Sequence, residues 1–247
     1  MILPINFTYT QQNLQDYLDC RYRFLLKYLK GVEWPAVESE PVLLQEARME
    51  LGQSFHRLVQ QYFSGIDPSI LSDSIQSTEL AEWWHAFLDL DLLCLPGEKT
   101  AEKTISIPFL DYRLLAKYDL LIKNGEGTYT IFDWKTSTSL PSRHVLAKRL
   151  QTIIYPLVLQ KSIIHVEGQL PVTIEMIYWY PAQPSETIRF QFSSEQQYQG
   201  EVLLTRMTEE IIQNDEDWFL RTADQKKCYY CRYRSHCDRG IGAGTLD

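Results

Sequence analysis

The N-terminal part of the chain carries apolar side chains at helical spacing. In residues 10–30 and 43–63 they recur three or four positions apart, which predicts two amphipathic helices. Residues 78–94 share this period and are rich in tryptophan and phenylalanine, so we expect a third helix packed on the core. The stretches at 31–42 and 64–78 contain glycine, proline and serine, which predict loops.

The central part of the chain changes to the pattern of β-strands. Residues 102–108, 112–123 and 128–135 are alternating or rich in β-branched and aromatic side chains, which predicts a three-stranded meander. The elements predicted after it are a helix at 142–161, strands at 171–180 and 186–192, and a helix at 194–214. This order predicts an α/β (α+β) fold in which helices flank a mixed central sheet.

Length and composition indicate one folded domain. The 247 residues are 45% hydrophobic and 13% aromatic, which is enough for a sizeable core, so we expect a single domain over residues 1–247. The first residues carry neither a basic run nor a signal-cleavage pattern, and no run reaches the roughly 18 apolar residues of a membrane span. We therefore expect a cytoplasmic protein with no membrane partner.

The net charge of −8 argues mildly against nucleic acid as a partner, but the distribution of charge changes that picture. Residues 18–30 carry four basic side chains and one acidic one, and residues 221–239 carry six basic and two acidic ones. Binding to phosphates follows the local patch of charge more than the total. The two chain ends are therefore candidates for contact with nucleic acid.

Two acidic residues on neighbouring predicted strands form the first candidate site. Asp133 and Lys135 lie two positions apart at the end of a strand, so their side chains share a face. Asp119 lies on the preceding strand and can approach Asp133 if the two strands form a hairpin. Two close carboxylates repel unless a cation lies between them, and Mg²⁺ is a natural occupant. A surface ion pair between Asp133 and Lys135 is the simpler alternative.

Four other polar residues are candidates for the same site, although each has an ordinary structural explanation. His56 lies at the edge of the apolar stripe of its helix, where packing at a helix boundary would also account for it. Glu102 heads a strand, where a solvated carboxylate is common. Gln151 and Tyr155 are four apart on one helix face, and the alternatives there are a helix hydrogen bond and a core tyrosine.

A group of cysteines near the C-terminus is the second candidate site. Cys228, Cys231 and Cys237 have the spacing C-x₂-C-x₅-C, and thiolates so close together in a reducing compartment indicate metal ligation. A fourth ligand is needed, and the neighbouring His236 would complete a zinc site with three cysteines and one histidine. Cys94 has no partner at ligand spacing and is expected to be a buried thiol.

The order of these motifs resembles that of the PD-(D/E)XK nuclease superfamily, and in particular its RecB-like branch. That branch includes AddB-type nuclease domains and small CRISPR-associated iron–sulfur exonucleases. The motifs that carry the resemblance are Cys20 within Leu18–Phe24, Gly52-x-x-x-His56, Asp119, Asp133-x-Lys135, Gln151-x-x-x-Tyr155 and the C-terminal cysteines. Two departures are Arg21, where the family often has proline, and Lys117, where the family commonly has glycine two residues before the first aspartate. The side chain of Lys117 is expected to share a face with Asp119 and could alter the approach of substrate.

The resemblance implies a restriction-endonuclease-like core that acts as a metal-dependent deoxyribonuclease, and more narrowly as an exonuclease. The implied ligands of Mg²⁺ or Mn²⁺ are His56, Asp119, Asp133 and the backbone carbonyl of Trp134. The implied catalytic residues are Asp119, Asp133, Lys135, Glu102, Gln151 and Tyr155. In this scheme, Lys135 would orient the attacking water or stabilise charge on the phosphate.

For the cysteines, the resemblance implies a [4Fe–4S] cluster bound by Cys20, Cys228, Cys231 and Cys237. Such a cluster would join the segments at 18–30 and 224–239, which hold the basic side chains, and so tie the N- and C-terminal parts of the chain together. Zn²⁺ at the cysteines stays open as the alternative.

The implied partner is DNA, either single-stranded or with free ends, together with proteins of a repair, recombination or CRISPR adaptation complex. Two alternatives remain. One is a catalytically inactive DNA-binding or assembly subunit that keeps the fold and the cluster, and the other is a zinc-binding interaction module without a nucleic acid partner. Metal-dependent cleavage separates the nuclease from both, and salt-dependent DNA binding separates the two alternatives from each other.

Overall fold

A mixed sheet of six strands forms the centre of the protein, whose computed structural model describes residues 3–33, 42–125, 127–137 and 139–239. The strands are β1 (Thr8–Thr10), β2 (Glu98–Phe109), β3 (Tyr112–Asn124), β4 (Thr128–Trp134), β5 (Thr173–Trp179) and β6 (Thr187–Gln191). One edge of β3 pairs with β2, while β1 and then β4 pair with successive halves of the other edge. β5 runs parallel to β4 and β6 antiparallel to β5, so the predicted mixed sheet is confirmed.

Helices cover both faces of this sheet, as predicted. They are α1 (Gln11–Asp19), α2 (Arg21–Phe24), α3 (Val42–Phe63), α4 (Pro68–Asp73), α5 (Thr78–Leu88), α6 (Arg143–Ala147), α7 (Leu150–Glu167) and α8 (Ser194–Gln213). A π-helical turn (Leu25–Leu29) continues α2, and the 3₁₀ turns are Asp91–Cys94, Glu216–Trp218 and Gln225–Cys228. Capping boxes that begin at Thr10 and Ser193 fix the starts of α1 and α8.

Two apolar layers hold the helices against the sheet. One layer joins α1, α7 and α8 to one face, with Ile154 and Leu157 fully buried. The other joins α3 and α5 to the opposite face through Phe55 and Trp84, which are also fully buried. Burial of these side chains is the main term that stabilises the fold. Among the described residues, none of the helices is both long and apolar enough to cross a membrane.

The helix predicted at 10–30 is wrong in one respect, because it breaks at Cys20. The backbone there is extended, with φ −163° and ψ 107°, and α2 begins at the next residue. Across the break, Asp16 accepts hydrogen bonds from Lys27 and Tyr28 at 3.0 and 2.7 Å. These long-range partners hold the second helical segment against the first, and apolar periodicity alone does not report them.

The burial predicted for Cys94 is also wrong. The third helix ends at Leu88, so Cys94 lies in a separate surface turn and is exposed. The loop predicted at 64–78 contains α4, which Asp67 caps by accepting from the backbone of Ser69. The helix predicted at 142–161 is divided by the extended backbone of Arg149. Of the loop predicted at 31–42, residues 34–41 lie outside the described residues.

One irregularity in the sheet decides where the polar residues meet. Tyr118 packs in the layer under α7, whereas Leu120, two positions further along β3, packs in the layer under α3. Normal alternation would put both side chains on one face. On the partner strand, Glu102 has a φ of 54°, in the left-handed region. The side-chain pattern therefore changes face at this level of the sheet.

Candidate active site

An open pocket lies where α3 crosses the sheet beside this irregularity. Its lining residues are Met49, Gly52, Gln53, His56, Arg57, Gln60, Glu102, Lys117, Asp119, Thr136 and Tyr155. We use the name carboxylate site for His56, Glu102, Asp119, Asp133 and Lys135. Sequence analysis placed all five in one site, and the structure brings them to the same region of the sheet.

Glu102 and Asp119 face each other across β2 and β3. Ala101 pairs with Leu120 and Lys103 with Tyr118, so the register puts Glu102 opposite Asp119. The positive φ of Glu102 is unusual for a residue with a side chain and costs of order 1–3 kcal/mol. Such strain persists only where the surroundings enforce it, and here it accompanies the convergence of two carboxylates on the pocket.

His56 reaches the same point from α3. Its Nδ1 lies 3.3 Å from Oδ1 of Asp119 and 3.6 Å from Oε1 of Glu102. Gly52, one turn earlier, explains how the helix comes so close, because a Cβ there would lie 2.6 Å from Oγ1 of Thr136. The Gly52-x-x-x-His56 motif therefore has a physical reason, since its glycine lets α3 pass against the segment that follows β4.

The protonation of His56 depends on these carboxylates. Burial lowers its pKa, but hydrogen bonds to Asp119 and Glu102 outweigh burial and raise the pKa to about 9. A proton on Nδ1 then lies between the carboxylates of Asp119 and Glu102. The hydrogen bond from Nε1 of Trp134 to Nδ1, at 3.2 Å, requires a free lone pair and so belongs to the neutral ring. The protonated and neutral forms of His56 thus have different partners.

Asp133 sits deeper than the other carboxylates. It is 2% exposed, and the register of β3 with β4 places it opposite Asp119. Gln151 donates to its Oδ1, while its Oδ2 lies 2.6 Å from Nζ of Lys135 without hydrogen-bond geometry. Burial, together with the charge of Asp119, outweighs Lys135 and raises the pKa of Asp133 to about 6. The Asp133–Lys135 contact is therefore not a surface ion pair.

Gln151 and Tyr155 project from the first turns of α7 towards the carboxylate site. Gln151 is 6% exposed and holds Asp133, as described. The ring of Tyr155 stacks edge-to-face on Tyr118 at 5.2 Å and also lines the pocket. Burial, then the charges of Asp133 and Asp119, raise the pKa of Tyr155, so its hydroxyl stays protonated and can donate a hydrogen bond.

The donor set of the carboxylate site fits a hard divalent cation. His56, Glu102 and Asp119 each offer one ligand atom, all within 4.8 Å of one another. Asp133 is not in this group among the described residues, and its two oxygens contact Gln151 and Lys135. The backbone of Trp134 approaches through its N–H, which donates to Oδ2 of Asp119 at 3.1 Å. One imidazole and several carboxylate oxygens suit Mg²⁺ or Mn²⁺.

Sequence analysis placed Glu102 among the catalytic residues and not among the metal ligands. The signal that would have found its place was the turn between β2 and β3. Phe109 pairs with Tyr112 across two turn residues, and counting back from that turn places Glu102 opposite Asp119. Arg57, which lines the same pocket, gives no comparable pattern in the sequence.

The four predicted cysteine ligands also meet in space. Cys20, Cys228, Cys231 and Cys237 line one small enclosed cavity, which we call the cysteine site. Cys94 does not line it, and neither does His236, whose ring packs 6.1 Å from that of Tyr22. Cys20, more than 200 positions from the other three, reaches them because the helix breaks there.

Basic side chains surround the cysteine site. Those that line the cavity are Arg23, Arg221, Lys227, Arg234 and Arg239. Arg239 donates to Sγ of Cys228 at 3.4 Å. Burial raises the pKa of Cys231 and of Cys237, so both thiols stay protonated without a metal. The positive surroundings suit the net negative charge of four thiolates around a metal centre.

Contacts other than the cysteines also hold the C-terminal segment on α1. Lys227 pairs with Asp19 at 2.7 Å. Nε1 of Trp218 donates to the hydroxyl of Tyr17 at 3.2 Å, and the guanidinium of Arg21 lies 4.3 Å from the centre of the Trp218 ring. These contacts bring the two basic segments together without any cluster.

Comparison with known proteins gives one family match. A sequence model of the PD-(D/E)XK nuclease superfamily matches residues 8–238. A crystal structure of a candidate exonuclease from Eubacterium rectale aligns at 10% identity and a TM-score of 0.49, over 81% of this chain and 79% of that chain. The crystal structure of SSO0001 aligns at 18% identity and a TM-score of 0.43, over 93% and 85%. Both scores lie below 0.5, so the family assignment rests on the sequence match. The comparison with curated proteins finds no match.

Proposed function

The chain belongs to the PD-(D/E)XK nuclease superfamily, and from this we propose that it is a Mg²⁺- or Mn²⁺-dependent deoxyribonuclease of the RecB-like branch. The observation that supports the proposal most directly is the meeting of His56, Glu102 and Asp119 in one open pocket. The Asp133–Lys135 pair beside them adds an ammonium group that can stabilise negative charge on a phosphate. We further propose exonuclease action by one domain over residues 1–247, in DNA repair, recombination or CRISPR adaptation.

The ligands of the cation would be His56, Asp119, the carbonyl of Trp134, and either Glu102 or Asp133. Bound there, Mg²⁺ or Mn²⁺ would polarise the scissile phosphate and lower the pKa of an attacking water. His56 would bind through its neutral ring, so its proton must leave first.

The side chains around the cation have separable roles. Lys135 would orient the attacking water or stabilise negative charge that develops on the phosphate. Gln151 holds one oxygen of Asp133, so that carboxylate keeps a single orientation. Tyr155, protonated and facing the pocket, would donate a hydrogen bond to the bound strand.

End-labelled single-stranded and duplex DNA, incubated with Mg²⁺, Mn²⁺ or EDTA, test this function. We expect cleavage with either cation and none with EDTA, and products that shorten from an end while circular single strands resist. Asp119→Asn is the control for a contaminating nuclease. A wild-type protein that binds DNA but cleaves it under none of these conditions would instead be an inactive DNA-binding subunit.

We also propose that the cysteine site binds a [4Fe–4S] cluster. Support comes from the shared cavity of Cys20, Cys228, Cys231 and Cys237, with His236 outside it. The role would be structural, because the site lies at the chain ends and not in the pocket of the carboxylate site. The basic residues around it, with the exposed Tyr229 and Tyr230, would then form a surface for unpaired DNA.

Metal analysis of anaerobically purified protein tests the cluster. We expect a brown protein with about four iron and four sulfide per chain, and loss of colour in Cys20→Ser. Zinc in place of iron, bound equally well by Cys20→Ser and lost in His236→Ala, would overturn the assignment. The nuclease proposal would survive that result.

A further inference from the structure

Lys117 is, with Arg57, a charged residue that lines the pocket and has no part in the proposed chemistry. It lies on β3, two positions before Asp119, and lines the pocket together with His56, Glu102 and Asp119. Its Nζ contacts Oε2 of Glu102. Its side chain is 58% exposed, compared with 27% for Lys135.

The two lysines stand on different sides of the carboxylates. Lys135 contacts Asp133, which Gln151 and burial hold in the interior. Lys117 contacts Glu102, which is less buried than Asp133, and its own side chain is largely exposed at the pocket. A strand that enters from solvent therefore meets Lys117 before it meets Lys135.

Charge gives Lys117 a role once the site is loaded. Glu102, Asp119 and Asp133 carry three negative charges, while Lys117, Lys135 and Arg57, which also lines the pocket, carry three positive ones. With a divalent cation and neutral His56 the formal sum is two positive charges, whereas without Lys117 it is one. A phosphodiester is an anion, so Lys117 strengthens the attraction of the loaded pocket for it.

The chemistry of lysine suits an exchange of partners. An ammonium on a flexible four-carbon stem binds as a point charge and can move between neighbouring anions. When Glu102 shares its charge with a cation, its hold on Lys117 weakens, and a phosphate oxygen of the substrate becomes the better partner.

We propose that Lys117 is a substrate-binding residue. Its ammonium group moves away from Glu102 and binds a non-bridging phosphate oxygen of the DNA strand in the pocket. This inference rests on the proposed nuclease function. It assigns the open side of the pocket as the place where the strand enters, and it gives the site two lysines that contact substrate from opposite sides.

The test is DNA binding as a function of salt, measured by fluorescence anisotropy of a labelled 15-nucleotide thymidine strand. Ca²⁺ replaces Mg²⁺, and a gel checks that the strand stays intact. The variants are Lys117→Met, which removes the charge at similar volume, Lys117→Arg, which keeps it, and Lys103→Met as control. Lys103 is an exposed lysine on β2 that does not line the pocket.

We expect Lys117→Met to weaken binding by about tenfold at low salt and to reduce the slope of log affinity against log salt by about 0.7, the value for one phosphate contact on a single strand. Lys117→Arg and Lys103→Met should keep the wild-type slope. A Lys117→Met protein with wild-type affinity and slope would overturn the inference. So would a lower melting temperature with an unchanged slope, since that pattern means that Lys117 only supports Glu102.

The two proposals fail in different ways. If wild-type protein binds the strand with a Lys117-dependent slope but cleaves no DNA with Mg²⁺ or Mn²⁺, the nuclease proposal fails and the role of Lys117 in binding stands. If wild-type protein cleaves DNA and Lys117→Met binds with the wild-type slope, the inference about Lys117 alone is wrong.

Discussion

The carboxylate site lies on long strands and a long helix inside the two apolar layers, whereas the cysteine site lies on short turns near the chain ends. Packing of the surrounding elements fixes the carboxylate site even though its negative charges repel one another. Glu102, Asp119 and Asp133 lie close together there, and the backbone of Glu102 has a positive φ. In the cysteine site, five basic side chains surround four thiols and would balance the negative charge of four thiolates around a metal centre. We infer that loss of a carboxylate removes chemistry and leaves the fold, and that loss of a cysteine does the reverse.

The largest effect on cleavage is expected from Asp119→Asn. This change keeps the shape of the side chain but removes the carboxylate that His56 and the backbone of Trp134 both contact. Metal-dependent cleavage should fall below detection, by at least about 10³-fold, the upper range for loss of one charge-stabilising group. The melting temperature of the metal-free protein should stay level or rise, because one repelling charge is gone. A sharp loss of stability would contradict the inference that loss of a carboxylate affects cleavage and leaves the fold intact.

Lys135→Ala should have the next largest effect. Cleavage should fall by on the order of 10²–10³, as when a donor that stabilises developing charge is removed. Mn²⁺ affinity should stay close to that of wild type, because Lys135 is a neighbour of the ligands and not one of them. Single-turnover cleavage and Mn²⁺ titration separate the two properties. Wild-type turnover in Lys135→Ala would mean that Lys135 is only an ion-pair partner of Asp133 and has no role in cleavage.

The pH dependence of metal binding should reveal competition between the metal and the proton on His56. Its raised pKa of about 9 means that a proton competes with the metal below that pH. The apparent affinity for Mn²⁺ should therefore rise up to about tenfold per pH unit between pH 7 and 9 and level off above. Metal-free stability has the opposite sign, since the protonated His56 stabilises the fold below pH 6.5 and this is lost towards pH 9.

Titration calorimetry from pH 5 to 9.5 in buffers of different ionisation enthalpy measures both the affinity and the proton released. Below pH 6, protonation of Asp133, whose pKa is raised to about 6, should weaken binding further. Affinity that does not change between pH 7 and 9 would show that His56 is not a ligand or is already neutral.

The smallest effect on cleavage is expected from Cys20→Ser. Cleavage below 20 °C should stay within about threefold of wild type, while the free energy of unfolding should fall by about 2–5 kcal/mol, the usual range for loss of a long-range cross-link. Contacts such as Lys227 with Asp19 remain and limit the loss. Cys94→Ser, at the exposed cysteine outside the cysteine site, is the matched control. Urea unfolding should leave that control at the wild-type midpoint.

The elements that depend on burial were predicted well from the sequence. The strands at 112–123 and 128–135 match β3 and β4 within one residue at each end, because every second residue in the middle of β3 is buried, nearly all of β4 is buried, and a turn separates the two strands. The helix at 43–63 is likewise confirmed as α3. Here local propensity and tertiary packing favour the same structure.

What the sequence could not give depends on contacts between distant residues. The break at Cys20 depends on hydrogen bonds between Asp16 and residues beyond the break. The position of Glu102 depends on its positive φ, which cannot be predicted from the residue type because glutamate rarely adopts it. The position of Lys117 on Glu102 needs the register of two strands. Each of these features lies at or beside one of the two sites, where function and not propensity sets the geometry.

A crystal structure grown with Mn²⁺ and read by anomalous scattering tests the central claim most directly. We expect a peak between His56 and Asp119, with oxygen ligands at about 2.0–2.2 Å, and with Glu102 or Asp133 completing the carboxylate ligands. Asp119→Asn crystals grown in the same way should lack the peak. A wild-type structure in which Mn²⁺ binds elsewhere, or in which His56 keeps its contacts with Asp119 at saturating Mn²⁺, would contradict the account.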